Sequence, residues 1–268
     1  MPRPWTILDR VDTPEGPLEL CQRGPKDFVI AVAGRVLMSS TAVRTERAVA
    51  AAACQRVTTF PAPRVLIGGL GMAFTLRAAL DSLPKSAQVT VVEMNPVVER
   101  WCRGPLAEMT GHPLDDPRTT LVIGDVAKAI EATRAPALWH AIVLDLYEGP
   151  HDATQDLDDP FYGPRALALS RRALMPGGVL AVWSEDPDKA FEERLATAGF
   201  KTERVPPPPS GPKHVVYLAK VPGAPAAAAS GGKPGSKPGA RSGGRPGAKP
   251  GSKSGGSKPG GSKPGGKR

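Results

Sequence analysis

Between Asp145 and Pro160 the chain reads DLYEGPHDATQDLDDP, which gathers Asp145, Glu148, Asp152, Asp156, Asp158 and Asp159 without a Lys or Arg among them. Carboxylates at that density either collect cations and accept protons from them, or form a solvated acidic face in which Asp158 or Asp159 caps the next element of the chain. Two more acids end apolar runs, Glu93 after VTVV and Asp125 after LVIG, and a glycine-rich turn, GGLG, comes after a third run. Gly69 and Gly71 allow a backbone to turn tightly and approach a ligand without a Cβ in the way. Glu93 lies 24 residues beyond Gly69, close to the spacing at which an acid after a second strand grips ribose hydroxyls through two oxygens. Asp125 stands at an equivalent depth, where it can accept from an adenine amine. Each has a plainer reading as well: an ordinary strand-to-helix connection, a charge favoured at a helix N-terminus and an N-cap. Three such sites at successive strand ends point to a nucleoside. A phosphate fits less well, because no Lys comes after the glycines and the other two sites bring carboxylates.

These residues need a frame that brings strand ends together. RVLIGG, VTVVE, TTLVIGD, HAIVLD and GVLAVWS read as strands, and their near-continuous apolar character implies burial on both faces of a parallel sheet. Helices are expected between them at about 73–83, 95–109, 126–134, 164–175 and 187–198, the fourth ending at MPGG, where Gly177 or Gly178 takes a left-handed cap. FKTERV and HVVYLA close the sheet as two further strands. Alternating strand and helix predicts a doubly wound α/β domain whose ligands bind beyond the carboxyl ends of the strands. Ahead of it, PLELCQ, DFVIAV and RVLMSS have the period-two pattern of short antiparallel strands, and TAVRTERAVAAAACQRV reads as a helix. The expected division is a small β segment at 1–45, a Rossmann-like adenosyl-binding domain at 46–221 and a Lys/Pro/Gly/Ser-rich tail at 222–268.

The formal charge of +9 belongs to that tail, which holds ten Lys plus Arg and no acids and leaves 25 bases against 26 acids elsewhere. The tail has no aromatic and cannot bury enough apolar surface to offset its ordering entropy, so it is expected to be disordered. It reads either as a flexible solubilising extension or as an attraction for nucleic acid or another polyanion. The three cysteines, Cys21, Cys54 and Cys102, lie far apart without a CxxC, which suits packing in a reducing cytoplasm. No apolar stretch approaches the roughly 20 residues of a membrane span. His112, His140, His151 and His214 lack metal-ligand spacing; three read as surface or packing residues and His151, inside the acidic stretch, as a candidate proton relay. Tyr147 and Trp183, each beside a strand end, are candidates to wall a ligand pocket or to fill core. No GxSxG or Ser-His-Asp pattern supports a hydrolase.

With these residues in place the chain resembles the polyamine aminopropyltransferases, the spermidine and spermine synthases, and most closely the shorter bacterial spermidine-synthase-like proteins. VLIGGLGMAFTLRAAL, VTVVEMNPVVERWCRGPL, LDDPRTTLVIGDV, HAIVLDLYEGP and LMPGGVLAVWSEDP carry the likeness, which runs from about Trp5 to Lys220. The resemblance implies a Rossmann-like S-adenosylmethionine-dependent transferase. In it Gly69 and Gly71 line the adenosyl ligand, Glu93 holds its ribose and Asp125 its adenine amine. Decarboxylated S-adenosylmethionine is the co-substrate, with no permanently bound cofactor and no metal. It further implies Asp145 as acceptor of the attacking amine's proton, with Glu148 at the second acid of that motif. Glu46, Tyr147 and Asp152 are assigned to a polyamine substrate, and a homodimer is admitted. Aminopropyl transfer agrees with the acidic stretch, since sulfonium donor and polyamine acceptor are both cations.

Departures from the family pattern are specific. GLGMAF places Met72 where an acid would bind the donor's aminopropyl ammonium. Gly149 replaces a Pro, and RVLMSSTAVRTERA lacks the usual Gln and Tyr-His pair, keeping Glu46. Three other readings stay open: a methyltransferase using intact S-adenosylmethionine, a non-catalytic adenosyl-binding protein, and an interaction protein acting through its tail.

Overall fold

The structure, a computed structural model, describes residues 3–147, 149–150, 156, 158–205 and 214–223. Its first element is a four-stranded antiparallel sheet in sequential order: β1 (Thr6–Thr13), β2 (Gly16–Gln22), β3 (Phe28–Val32) and β4 (Arg35–Ser39). Leu18, Leu20, Phe28 and Ile30 alternate onto one face and are buried, as the period of two requires. β1 is not among the strands expected from the sequence. TILDRVDT has no buried residue, exposes Arg10 and Asp12, and lies on the sheet's edge, so burial left little imprint on its sequence.

Helix α1 (Arg44–Gln55) leads into a seven-stranded sheet built from β5 (Arg64–Gly68), β6 (Gln88–Glu93), β7 (Thr119–Ile123), β8 (Trp139–Leu144), β9 (Leu174–Ser184), β10 (Lys201–Val205) and β11 (Val215–Lys220). The strand order is β10-β11-β9-β8-β5-β6-β7. β5 to β9 run parallel, whereas β11 lies antiparallel to β9 and β10 antiparallel to β11. Leu66, Ile67, Ile142, Val143 and Leu144 are buried to 0% exposure, as strands covered on both faces must be. The helices that cover them are α2 (Phe74–Ser82), α3 (Pro96–Arg103), the short α4 (Ala107–Thr110), α5 (Val126–Ala132), α6 (Pro164–Ala173) and α7 (Lys189–Thr197). β5 is flanked by β6 on one side and β8 on the other, so the chain reverses its direction of travel across the sheet there. That reversal opens a crevice at the carboxyl ends.

Two expected helices depart from their sequence pattern for identifiable reasons. The stretch at 95–109 divides into α3 and α4, since Gly104 and Pro105 interrupt it and Pro cannot donate to the ladder. MPGG does not cap α6. The helix stops at Ala173, and Leu174 to Gly178 open β9 through an irregular register against β8, with Gly177 at φ +82°.

The small sheet meets the larger body through a partly buried polar contact. Trp101, 1% exposed, donates its indole N–H to Asp9 Oδ2 at 2.7 Å, and Arg100 bonds the same oxygen. These two donors, Arg100 foremost, hold the Asp9 carboxyl below its ordinary range. Asp9→Ala leaves the indole without a partner, which costs about 1–3 kcal/mol. The expected result in differential scanning calorimetry is a Tm lower by roughly 3–10 °C, with Asp9→Asn falling between the two.

Candidate functional site

A cavity of about 730 Å³ lies where the strand ends converge. Gly69, Glu93, Asp125, Asp145 and Glu185 reach it from the carboxyl ends of β5, β6, β7, β8 and β9 in turn, and β2 to β4 close it with Leu18, Ile30 and Met38. Six carboxylates line it, those of Glu15, Glu46, Glu93, Asp125, Asp145 and Glu185, and no Lys or Arg does among the described residues.

The glycine turn is held by contacts that exclude side chains. Gly69 takes φ +87°, and a Cβ there would stand 2.7 Å from the Asp145 carbonyl oxygen. Gly71 takes φ +50°, and a Cβ would stand 2.9 Å from Met38 Sδ. Within the turn Gly69 N–H donates to the Val92 carbonyl at 2.9 Å, Leu70 N–H to Glu93 Oε2 at 2.9 Å, and Met72 N–H to Met38 Sδ at 3.2 Å. These three donors are occupied by the protein itself, unlike the open amides of a phosphate cradle.

Glu93, 9% exposed, uses its other oxygen to accept from Asn95 N–H at 2.8 Å. Each carboxylate oxygen retains a lone pair for a ligand hydroxyl. Asn95 caps α3 by accepting from Val97 N–H, and Glu93 stands just ahead of that helix, where a negative charge is favoured. Asp125 does cap α5, accepting from Ala127 N–H at 2.8 Å, while lining the cavity.

Asp145 and Glu46 form the titratable heart of the cavity. Asp145 accepts from the Thr75 hydroxyl in the first turn of α2. Loss of solvation pushes its carboxyl up to about 7, Thr75 opposes that, and the negative charge of Glu46 adds to it. The Glu46 carboxyl is likewise raised by burial, against hydrogen bonds that include the Thr45 hydroxyl. Tyr147 stands at the cavity with the Arg35 guanidinium 4.7 Å from its ring centre.

Several expectations take a different form here. Met72 is fully buried in the hydrophobic core and is not among the residues lining the cavity. His214, expected to be an ordinary surface or packing residue, lines the cavity, as do Glu15, Glu185 and Phe161. Asp159 accepts from Phe161 and Tyr162 N–H in the turn ahead of α6, whose N-cap is Gly163 without a side-chain cap bond, and it is not among the residues lining the cavity. Glu148, His151 and Asp152 lie outside the described residues. Cys54 and Cys102 are buried, and loss of solvation raises both thiols to about 12, which suits packing.

Fold and site together define a doubly wound, Rossmann-like α/β protein with an acidic cavity at the strand ends. Known proteins narrow the likeness. A polyamine aminopropyltransferase of Mycobacterium tuberculosis (strain CDC 1551 / Oshkosh) is 32% identical over 128 residues, 46% of this chain and 23% of that protein. Another, of Sulfolobus acidocaldarius, is 37% identical over 128 residues, 48% of this chain and 40% of that protein. Putrescine N-methyltransferase 4 of Nicotiana tabacum is 34% identical over 122 residues, 46% of this chain and 30% of that protein. The chain thus spans less than half the length of each of these relatives. Among solved structures, spermidine synthase from Thermotoga maritima superposes with a TM-score of 0.62 at 17% identity, covering 80% of this chain and 72% of that one. A spermidine synthase in complex with the transition-state analogue AdoDATO gives 0.61, 17%, 80% and 72%. No family model matches the chain. The chain therefore resembles the polyamine aminopropyltransferases in sequence over about half its length, and the spermidine synthases in fold over most of it.

The raised carboxyl of Asp145 has a stability consequence. Its acid form persists in the folded state up to about 7, whereas the unfolded carboxyl ionises near 3.9. Over that interval the folded state binds more protons, so this group's contribution to stability falls as pH rises and is lowest above 7. Asp145→Asn removes the burden: thermal melts should show a gain in Tm over the wild type that grows from pH 5 to pH 8.

Proposed function

We propose that the protein is a spermidine-synthase-like transferase that moves an aminopropyl group from decarboxylated S-adenosylmethionine to a polyamine. The observation that carries this reading is the cavity with six carboxylates and, among the described residues, no Lys or Arg. Such a cavity concentrates cations, and both the sulfonium donor and the polyamine acceptor are cations. Glu93 accepts from the ribose hydroxyls and Asp125 from the adenine amine, with Gly69 and Gly71 giving the nucleoside room to approach. The sequence relatives and the AdoDATO-bound neighbour support the same assignment.

Asp145 receives the proton. A polyamine nitrogen with pKa near 10 arrives mostly as ammonium. Deprotonated, it attacks the aminopropyl carbon beside sulfur; the carbon–sulfur bond breaks, its electron pair stays on sulfur, and methylthioadenosine leaves. A carboxyl that ionises near 7 is a stronger base than a solvated aspartate, and closer to the task. Glu46 adds a second negative charge against the remaining ammonium groups, and Tyr147 walls the acceptor. Glu148 and Asp152 extend this role along the acidic stretch.

The Nicotiana relatives favour a second reading, N-methylation of a polyamine by intact S-adenosylmethionine. Two features favour the decarboxylated donor over it. An α-carboxylate would meet like charge without a described Lys or Arg, and three amides of the glycine turn are already engaged.

Product analysis by mass spectrometry, with each donor offered alongside a panel of amines, decides between them. Methylthioadenosine is expected; adenosylhomocysteine would establish methylation, and neither would remove the enzyme. At 100 times its Kd a donor stabilises the fold by about 2.7 kcal/mol, so decarboxylated S-adenosylmethionine should raise Tm by roughly 5–10 °C and the intact donor by less. Asp145→Asn should lower kcat by about 10²- to 10⁴-fold and abolish the rise in kcat/KM through pH 7, while leaving donor stabilisation in place.

A further inference from the structure

Thr45 stands between two ionisable side chains that line the cavity. Its hydroxyl donates to Glu46 Oε2 at 3.1 Å and lies 3.0 Å from His214 Nδ1, bringing together residues 169 positions apart. A hydroxyl has one proton to give. With that proton on the Glu46 carboxylate, only lone pairs face His214, so Nδ1 must be the donor. A neutral imidazole carries a single N–H, and its other nitrogen is then the acceptor. Among the described residues nothing bonds Nε2. The ring is braced edge-on against Trp183, with centres 4.8 Å apart and planes at 77°, and Trp183, Glu46 and Asp145 all line the same cavity.

We propose that His214 is a second proton acceptor in this cavity, fixed as the Nδ1–H tautomer by Thr45 and Glu46 so that Nε2 is its basic nitrogen. The assignment rests on the amine-alkylation reading above and deepens it. One proton leaves the attacking nitrogen in each turnover as the carbon–nitrogen bond forms and the carbon–sulfur bond breaks. Asp145 and His214 are two groups able to receive it. The carboxylate of Glu46, reached through the Thr45 hydroxyl, stabilises the imidazolium that results, as a carboxylate does when it orients an imidazole directly.

The tautomer can be read without turnover. The chain has four histidines, so nitrogen-15 histidine labelling of the full-length protein, with His214→Gln to assign the signal, gives the state of each ring nitrogen. At pH 8 His214 is expected as Nδ1–H, retained in Thr45→Ser and switched to Nε2–H in Thr45→Val, and added putrescine is expected to shift the Nε2 signal. An Nε2–H tautomer in the wild type, or an Nε2 signal indifferent to putrescine, overturns the assignment. In turnover His214→Ala should lower kcat by about 10²-fold, leave the amine KM within about twofold and be partly restored by added imidazole, which a packing role would not produce. Unchanged kcat, or a loss that imidazole does not restore, overturns it equally. Should the wild type form no product with any donor and amine, the alkylation reading fails by itself, and the tautomer and the putrescine response still decide the place of His214.

Discussion

The site is governed by crowding of like charge. Doubly wound strand order forces the carboxyl ends of five parallel strands toward one crevice, and four of those ends bring an acid with them: Glu93, Asp125, Asp145 and Glu185. Glu15 and Glu46 arrive from the β1–β2 turn and from α1. In a partly desolvated space such groups raise one another's affinity for protons or require positive charge from outside. The Asp145 carboxyl is raised first by loss of solvation and then by the charge of Glu46. The requirement for outside positive charge fits a cavity that no Lys or Arg lines among the described residues.

Hydrogen bonds decide which carboxylates remain available. Glu93 is anchored by two backbone amides, one on the glycine turn and one beyond β6, so it orients the turn. Asp125 holds the start of α5. Asp145 has only a hydroxyl as its side-chain partner among those described, and Glu46 shares Thr45 with an imidazole. The first pair is therefore rigid and suited to recognition. The second can change protonation without a helix or a turn losing its cap.

Much of this is legible in the sequence, because its main signals are local. Buried parallel strands are continuous apolar runs, so HAIVLD and VTVVE announce both a strand and the acid at its end. Gly69 and Gly71 mark the turn because the left-handed region and close backbone approach leave few alternatives. The features that residue patterns do not reveal depend on contacts between distant segments. β1 has no buried face to imprint a pattern, and Met72 can be placed in the core only once the turn's direction is known. Thr75 and His214 gain their meaning from partners 70 and 169 residues away, a separation at which neither residue type nor spacing leaves a trace.

Strand pairing does not join the small antiparallel sheet to the larger one. It meets the glycine turn through Met38 and α3 through Asp9, yet it supplies the apolar wall of the cavity. Side-chain contacts tolerate substitution more readily than a ladder of backbone bonds whose register must be kept. The apolar wall of the cavity can thus drift by exchange of residues in β2 to β4 while the acid-bearing strand ends stay where they are. The small sheet is in this sense an interchangeable cover on a fixed vessel.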